Sequence, residues 1–192
     1  LLEISDTALR EFNTPDFKTG TAISAINLRK LWALIQVEKI DEAIKVGTKL
    51  MSRLPAGSVQ WYRIAHYTLK AKLYFGDYFG AIDTITEMVE NPKFAKLGDY
   101  FKEIFTTTLG YIHLLIDSGI LIGSKDIKSK VPDFKLGKFL NTTPTFSKDK
   151  RGINVSILLM HIAFLLQRKD YNSIIDRIDS LNQYAYRYLR KD

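Results

Sequence analysis

An all-α fold is what this sequence predicts, and three observations predict it. Apolar residues recur at helical spacing along most of the chain, and no stretch sustains the period-two alternation of a half-buried strand. Eleven glycines and five prolines among 192 residues fall below the usual ~12% share, which argues against turn-dense β architecture and low-complexity disorder. A hydrophobic share of 46% at close to single-domain length is enough to bury a sizeable core.

The elements follow in order. Residues 4–12 open the helical spacing. Leu28, Leu31 and Ile35 share one face of a helix over 21–37. Ala43 and Leu50 anchor a helix over 41–54, which Pro55 ends because proline cannot continue a helix. His66, Leu69 and Leu73 define the helix over 58–75. Ala81 and Met88 define the one over 78–90, closed by Pro92. Phe101, Phe105, Leu109, Ile112 and Ile116 descend one face of a helix over 98–118. Pro132 and Gly137 interrupt the next candidate, a weak helix near 132–141. Leu159, Ile162 and Leu166 mark a helix over 152–168, and Ile174 and Leu181 one over 171–190.

Internal repetition organises these elements. Three corners look alike: residues 37–43, 75–81 and 168–174. Each puts a large residue (Ile40, Tyr78, Tyr171) three positions before the first anchor of the second helix (Ala43, Ala81, Ile174). Counting back from those anchors, Leu28/His66/Leu159, Leu31/Leu69/Ile162 and Ile35/Leu73/Leu166 fall in register. Counting forward seven gives Leu50, Met88 and Leu181. The gap from Ala81 to Ile174 leaves room for a further unit with an insertion. About four antiparallel helix hairpins are therefore expected, the third degenerate. Residues 124–152 form a long basic insertion, expected to dock through Ile127, Val131, Phe134, Leu136, Phe139, Leu140 and Phe146.

The hairpin length, the turn Gly76-Asp77-Tyr78-Phe79-Gly80-Ala81 and the closing Pro55 and Pro92 resemble tetratricopeptide-type repeats over residues 21–92, and more loosely over 152–190. Large residues (Leu31, Leu69, Ile162) stand where such repeats carry a small one midway along the first helix. Trp61-Tyr62-Arg63-Ile64-Ala65 and Phe146-Ser147-Lys148-Asp149-Lys150-Arg151-Gly152 also resemble parts of bacterial helical-repeat proteins that carry no assigned activity. The first resemblance implies a single right-handed α-solenoid over 1–192 that binds a peptide or protein partner on a concave surface, with no cofactor and no catalysis.

The residues themselves carry no constellation for chemistry. Without cysteine, disulfides, thiolate metal sites and thiol nucleophiles are excluded. That composition fits a reducing compartment, and a cytoplasmic location is expected. His113 has only Asp117 at i+4, short of the three or four ligands zinc wants. His66 is expected on the packed face and His161, in register with Lys30 and Thr68, on the wetter one. Gly119-Ile120-Leu121-Ile122-Gly123-Ser124-Lys125 resembles a phosphate loop only superficially, since no lysine follows its second glycine directly and no strand precedes it. The acids Asp41-Glu42 and Asp176/Asp179 read as solvated surface. An enzyme is not expected.

The longest apolar run, Ile157 to Leu166, is about half of the ~20 residues a spanning helix needs. The opening Leu1-Leu2-Glu3-Ile4-Ser5-Asp6 has no initiator methionine and no signal pattern, so a piece of a longer chain is expected. Of the formal net charge of +7, residues 124–152 supply +5. This makes Lys135, Lys138, Lys148, Lys150 and Arg151 candidate contacts for an acidic or nucleic-acid partner. Tyr184 and Tyr188 share a helix face that Tyr186 leaves, so packing is expected there rather than base stacking.

The expected core comprises Leu31, Ile35, Ala43, Leu50, Leu69, Leu73, Ala81, Met88, Ile162, Leu166, Ile174 and Leu181. Truncating Leu69 to alanine is expected to cost ~2–5 kcal/mol, measured by urea denaturation. A strand-dominated far-ultraviolet circular dichroism spectrum would overturn the fold class.

Overall fold

The computed structural model describes residues 2–11, 20–121, 127–141 and 153–189, and every regular element among them is helical. The chain divides into two compact units, residues 1–97 and 98–192.

The first unit holds α1 (Leu2–Glu11), α2 (Gly20–Gln36), α3 (Ile40–Met51), α4 (Val59–Phe75), α5 (Tyr78–Glu90) and a 3-10 turn at Phe94–Lys96. An ion pair from Lys30 Nζ to Asp6, 2.6 Å long, ties α2 to α1. The central cluster draws Leu31, Leu34 and Ile35 from α2, Ala43 from α3, and Ile64 and Ala71 from α4. Leu28, Ile40, Ile44 and Leu50 pack against it. α4 thus covers both helices of the preceding pair. The approach is close at Gly47, where a Cβ would collide with the Thr68 side chain. Ser58 caps α4 by accepting the Trp61 amide at 3.1 Å. Within α4 and α5, Tyr62 donates to the Met88 carbonyl at 3.2 Å, and Lys72 donates to the Gly80 carbonyl at 3.0 Å and to Thr84 at 2.8 Å.

The second unit holds α6 (Asp99–Asp117), α7 (Ile127–Lys130), α8 (Leu136–Asn141), α9 (Ile153–Gln167), α10 (Tyr171–Tyr184) and a π-turn at Ala185–Leu189. Phe139 and Leu140 of α8, Ile157, Met160, Phe164 and Leu165 of α9, and Ile174 of α10 form its core. Of the expected weak helix near 132–141, only Leu136–Asn141 is helical, as α8; residues 132–135, which begin at Pro132, carry no regular structure, and the short α7 lies before them.

The three sequence corners share one backbone geometry. Glu38, Gly76 and Lys169, in register with one another, all have positive φ (60°, 82° and 57°). The next residue then donates its amide back five positions: Lys39 to the Leu34 carbonyl, Asp77 to that of Lys72 and Asp170 to that of Leu165, at 2.9, 2.9 and 3.0 Å. A left-handed residue followed by this long backbone bond is how a helix stops and releases its last carbonyls from solvent. The same next residue caps the following helix. Asp77 accepts the Gly80 amide at 3.0 Å and Asp170 the Ser173 amide at 3.2 Å, whereas Lys39 makes no side-chain cap bond.

Of the expected core, Leu31, Ile35, Ala43, Leu69, Ala81, Met88 and Ile174 are buried; Leu50, Leu73, Ile162 and Leu181 are half-buried. Leu166 corrects the expectation, at 52% exposed, and its register-mate Leu159 is 48% exposed. Their counterparts Ile35 and Leu28 are covered in the cluster that α4 closes. Among the described residues, no helix stands in that place on α9.

The corners generate a paired expectation. Gly76→Ala forces a Cβ into the left-handed region and should lower stability by about 1 kcal/mol. Lys39→Asp supplies the missing cap and should raise it by about 1 kcal/mol. Urea midpoints of the two variants, measured side by side, check both signs.

Candidate functional site

The second unit holds the features that bear on function. The described part of its insertion, residues 127–141, is anchored: Ile127, Val131, Phe139 and Leu140 are buried, and Phe134 and Leu136 pack on the core. His113 of α6 bonds through Nε2 to the Pro132 carbonyl at 2.9 Å and stacks on Phe134, with ring centroids 5.4 Å apart. Phe134 in turn stacks on Phe164 at 5.9 Å. Arg177 of α10 donates to the Leu140 carbonyl at 2.8 Å. Gly110 allows this closeness, since a Cβ there would meet Met160 and Phe134. His113 is therefore a fastening for the segment.

An open cleft of about 560 Å3 lies beside this segment, lined by Asp117, Ser118, Leu136, Phe164, Gln167 and Arg168. Gln167 donates to Ser118 Oγ at 2.6 Å, and the Ser118 hydroxyl donates to the Leu114 carbonyl at 2.7 Å. The Ser118 hydroxyl thus both accepts from a side-chain amide and donates to a main-chain carbonyl. The cleft's lining combines the apolar Leu136 and Phe164 with Ser118, Gln167, one acid and one guanidinium, a setting for hydrogen bonding and charge recognition.

Other titratable groups are dispersed. On α6, burial pushes the Glu103 carboxyl above its usual range, helped by the Asp99 carboxylate one turn away. His66 of α4 lies edge-on to Tyr67, centroids 5.3 Å apart. Burial, with the nearby charge of Lys70, holds it down at about 4. Among the described residues no three His, Cys, Asp or Glu side chains gather as metal ligands.

His161 overturns its expected placement on a wet face. It is fully buried, with Phe139 of α8 edge-on to its ring at 4.6 Å. Neither ring nitrogen has a hydrogen-bond partner among the described residues. Register with Lys30 and Thr68 misled because Thr68 is itself fully buried, and because α8, which nothing in the repeat pattern encodes, covers α9 on that side. Burial brings the ring down to about 4, with the Arg177 charge adding to the effect and the Phe139 backbone partly offsetting it.

Of the candidate partner contacts, Lys135 and Lys138 are exposed on the docked segment. Lys148, Lys150 and Arg151, with Phe146, lie outside the described residues. Tyr184 is buried and Tyr186 is 69% exposed, so these two do not share a stacking surface. What sequence reasoning missed is a surface. α9 carries no charged residue along its whole length, yet it keeps Leu159 and Leu166 open, as the following α10 keeps Tyr171, Ile175 and Ile178. The uncharged stretch was the available signal, since a helix that is apolar all round is normally covered all round.

The histidines set a pH window. The folded ring of His161, at about 4, lies below its ordinary 6.5, so the unfolded chain takes up protons first as pH falls. Stability is complete above about 6.5 and drains away toward about 4. The His161 share is on the order of 3 kcal/mol at most. His161→Leu should flatten part of the fall in urea midpoint across that window, His66 acting in the same direction and the raised Glu103 carboxyl opposing both. An unchanged slope would show that His161 does not carry it.

No family model, curated protein or solved structure matches this chain.

Proposed function

We propose that this chain is a tetratricopeptide-like interaction module, a stack of helix hairpins that binds a peptide or protein partner and performs no catalysis. The observation that carries the reading is the placement of α4 over both α2 and α3, combined with a corner that recurs at Glu38, Gly76 and Lys169. A helix pair that cannot bury its own apolar face hands that face to the next pair, which is how repeat arrays build surfaces larger than one hairpin. Because architecture alone does not dictate function, the exposed apolar side chains of α9 and α10 supply the functional argument: such surface on a folded chain marks interaction sites.

A second reading rests on the docked basic segment. Lys135 and Lys138 are exposed on a backbone already fastened by His113 and Arg177, which lowers the ordering cost of binding an acidic partner or nucleic acid.

Affinity purification of the tagged chain from cells that make it, with nuclease and at about 0.15 M salt, separates the two. The interaction-module reading expects a protein partner at defined stoichiometry that survives the nuclease. Nucleic acid alone, released steeply as salt rises and less steeply from Lys135→Gln/Lys138→Gln, would reverse the order, since each neutralised phosphate releases counterions.

A further inference from the structure

The corners allow a residue-by-residue comparison of the first helix pair, α2–α3, with the last, α9–α10. Leu159 and Leu166 stand where Leu28 and Ile35 stand in α2. Tyr171, Ile175 and Ile178 stand where Ile40, Ile44 and Gly47 stand in α3. In the first pair all five positions are at least partly covered, and two of them, Ile35 and Gly47, are met by α4. Ile35 lies in the cluster closed by Ile64 and Ala71 of α4, Leu28, Ile40 and Ile44 pack on that cluster, and Gly47 meets Thr68 of α4. In the last pair all five counterparts are open, from 43% exposed at Ile178 to 62% at Tyr171. The same register that receives a helix in one pair is bare in the other.

The bare face is not written as a solvent face. α9, Ile153–Gln167, contains no charged residue, and two of its exposed residues, Leu159 and Leu166, are large and apolar. On α10, Tyr171, Ile175 and Ile178 follow one another at i, i+4 and i+7 and form a single stripe. Asp179 and then Asp176, both exposed, lie on the flank of that stripe away from the buried Ile174.

We infer that the open face formed by Leu159 and Leu166 of α9 with Tyr171, Ile175 and Ile178 of α10 is a docking groove for one amphipathic α-helix of a partner protein. The helix lies as α4 lies on α2–α3. It presents apolar or small residues at i, i+4 and i+7, the pattern Ile64, Thr68 and Ala71 make on α4, and lysine or arginine toward Asp176 and Asp179. The inference rests on the interaction-module reading and assigns it a surface and a class of partner.

A labelled peptide with the sequence of residues 59–75 is a suitable probe, because it carries that stripe together with Arg63, Lys70 and Lys72 and has no acidic residue. It should bind the intact chain saturably. Leu166→Glu or Ile175→Glu, at positions already more than half exposed, should weaken binding at least tenfold while leaving the helical spectrum and urea midpoint in place. Asp176→Lys/Asp179→Lys should weaken it several-fold at low salt. Tyr74→Glu, a control at an exposed residue of the first unit, should leave it unchanged. Absence of binding, or binding indifferent to Leu166→Glu and Ile175→Glu, overturns the inference. So does a concentration-dependent dimer in sedimentation that Ile175→Glu dissolves, since the occupant would then be a second copy. The same variants separate this failure from that of the broader reading. A native partner retained by the Leu166→Glu/Ile175→Glu chain removes the groove but keeps the module, whereas no protein partner on the unaltered chain removes the module itself.

Discussion

The fold depends first on how each helix is made to stop and turn. At Glu38, Gly76 and Lys169 the backbone crosses into the left-handed region, and the following amide reaches back to a carbonyl five residues earlier. That single excursion ends one helix, aims the next and brings Ala43, Ala81 and Ile174 into position to be buried. Only one of the three residues is glycine. Glutamate and lysine hold the same conformation at a steric cost of roughly 1–2 kcal/mol each, which the packing of the flanking helices offsets. The corner is thus set by backbone geometry and by the apolar faces it must bring together, more than by the residue at the turn.

From that constraint follows the importance of register. A helix pair whose corner is fixed has its outward positions fixed too, so Gly47 of α3 meets Thr68 of α4 closely enough that no side chain fits. In α10 the same register position is Ile178, which is 43% exposed. Equivalent places therefore serve different ends, closed by a neighbouring helix in one pair and open in the other.

The second unit solves a different problem. Its α9 carries no charged residue and is mostly apolar, so it needs cover on more sides than α6 and α10 provide. The segment containing α7 and α8 supplies part of it, through Phe134, Phe139 and Leu140. His113, Arg177 and the glycine at 110 hold the segment down. The arrangement buries His161 without a hydrogen-bond partner among the described residues, a penalty that the surrounding aromatic and aliphatic packing outweighs at neutral pH.

Local information was sufficient for much of this. Helical periodicity, proline placement and the recurring corners placed the helices within a few residues, including α4 and α5, because those signals lie within one or two turns of chain and depend on no distant partner. The burial of Leu31, Leu69, Ala81 and Met88 was legible for the same reason: each sits midway along a repeated apolar face. Tertiary structure alone decided the fates of His161 and Leu166. They share a helix and similar sequence surroundings, yet one is sealed beneath Phe139 and the other is open. Burial depends on what arrives from elsewhere in the chain, and α8 arrives on one side of α9 while, among the described residues, no helix arrives on the other. A repeat pattern records which face a helix offers; only the folded neighbours determine whether that face is taken.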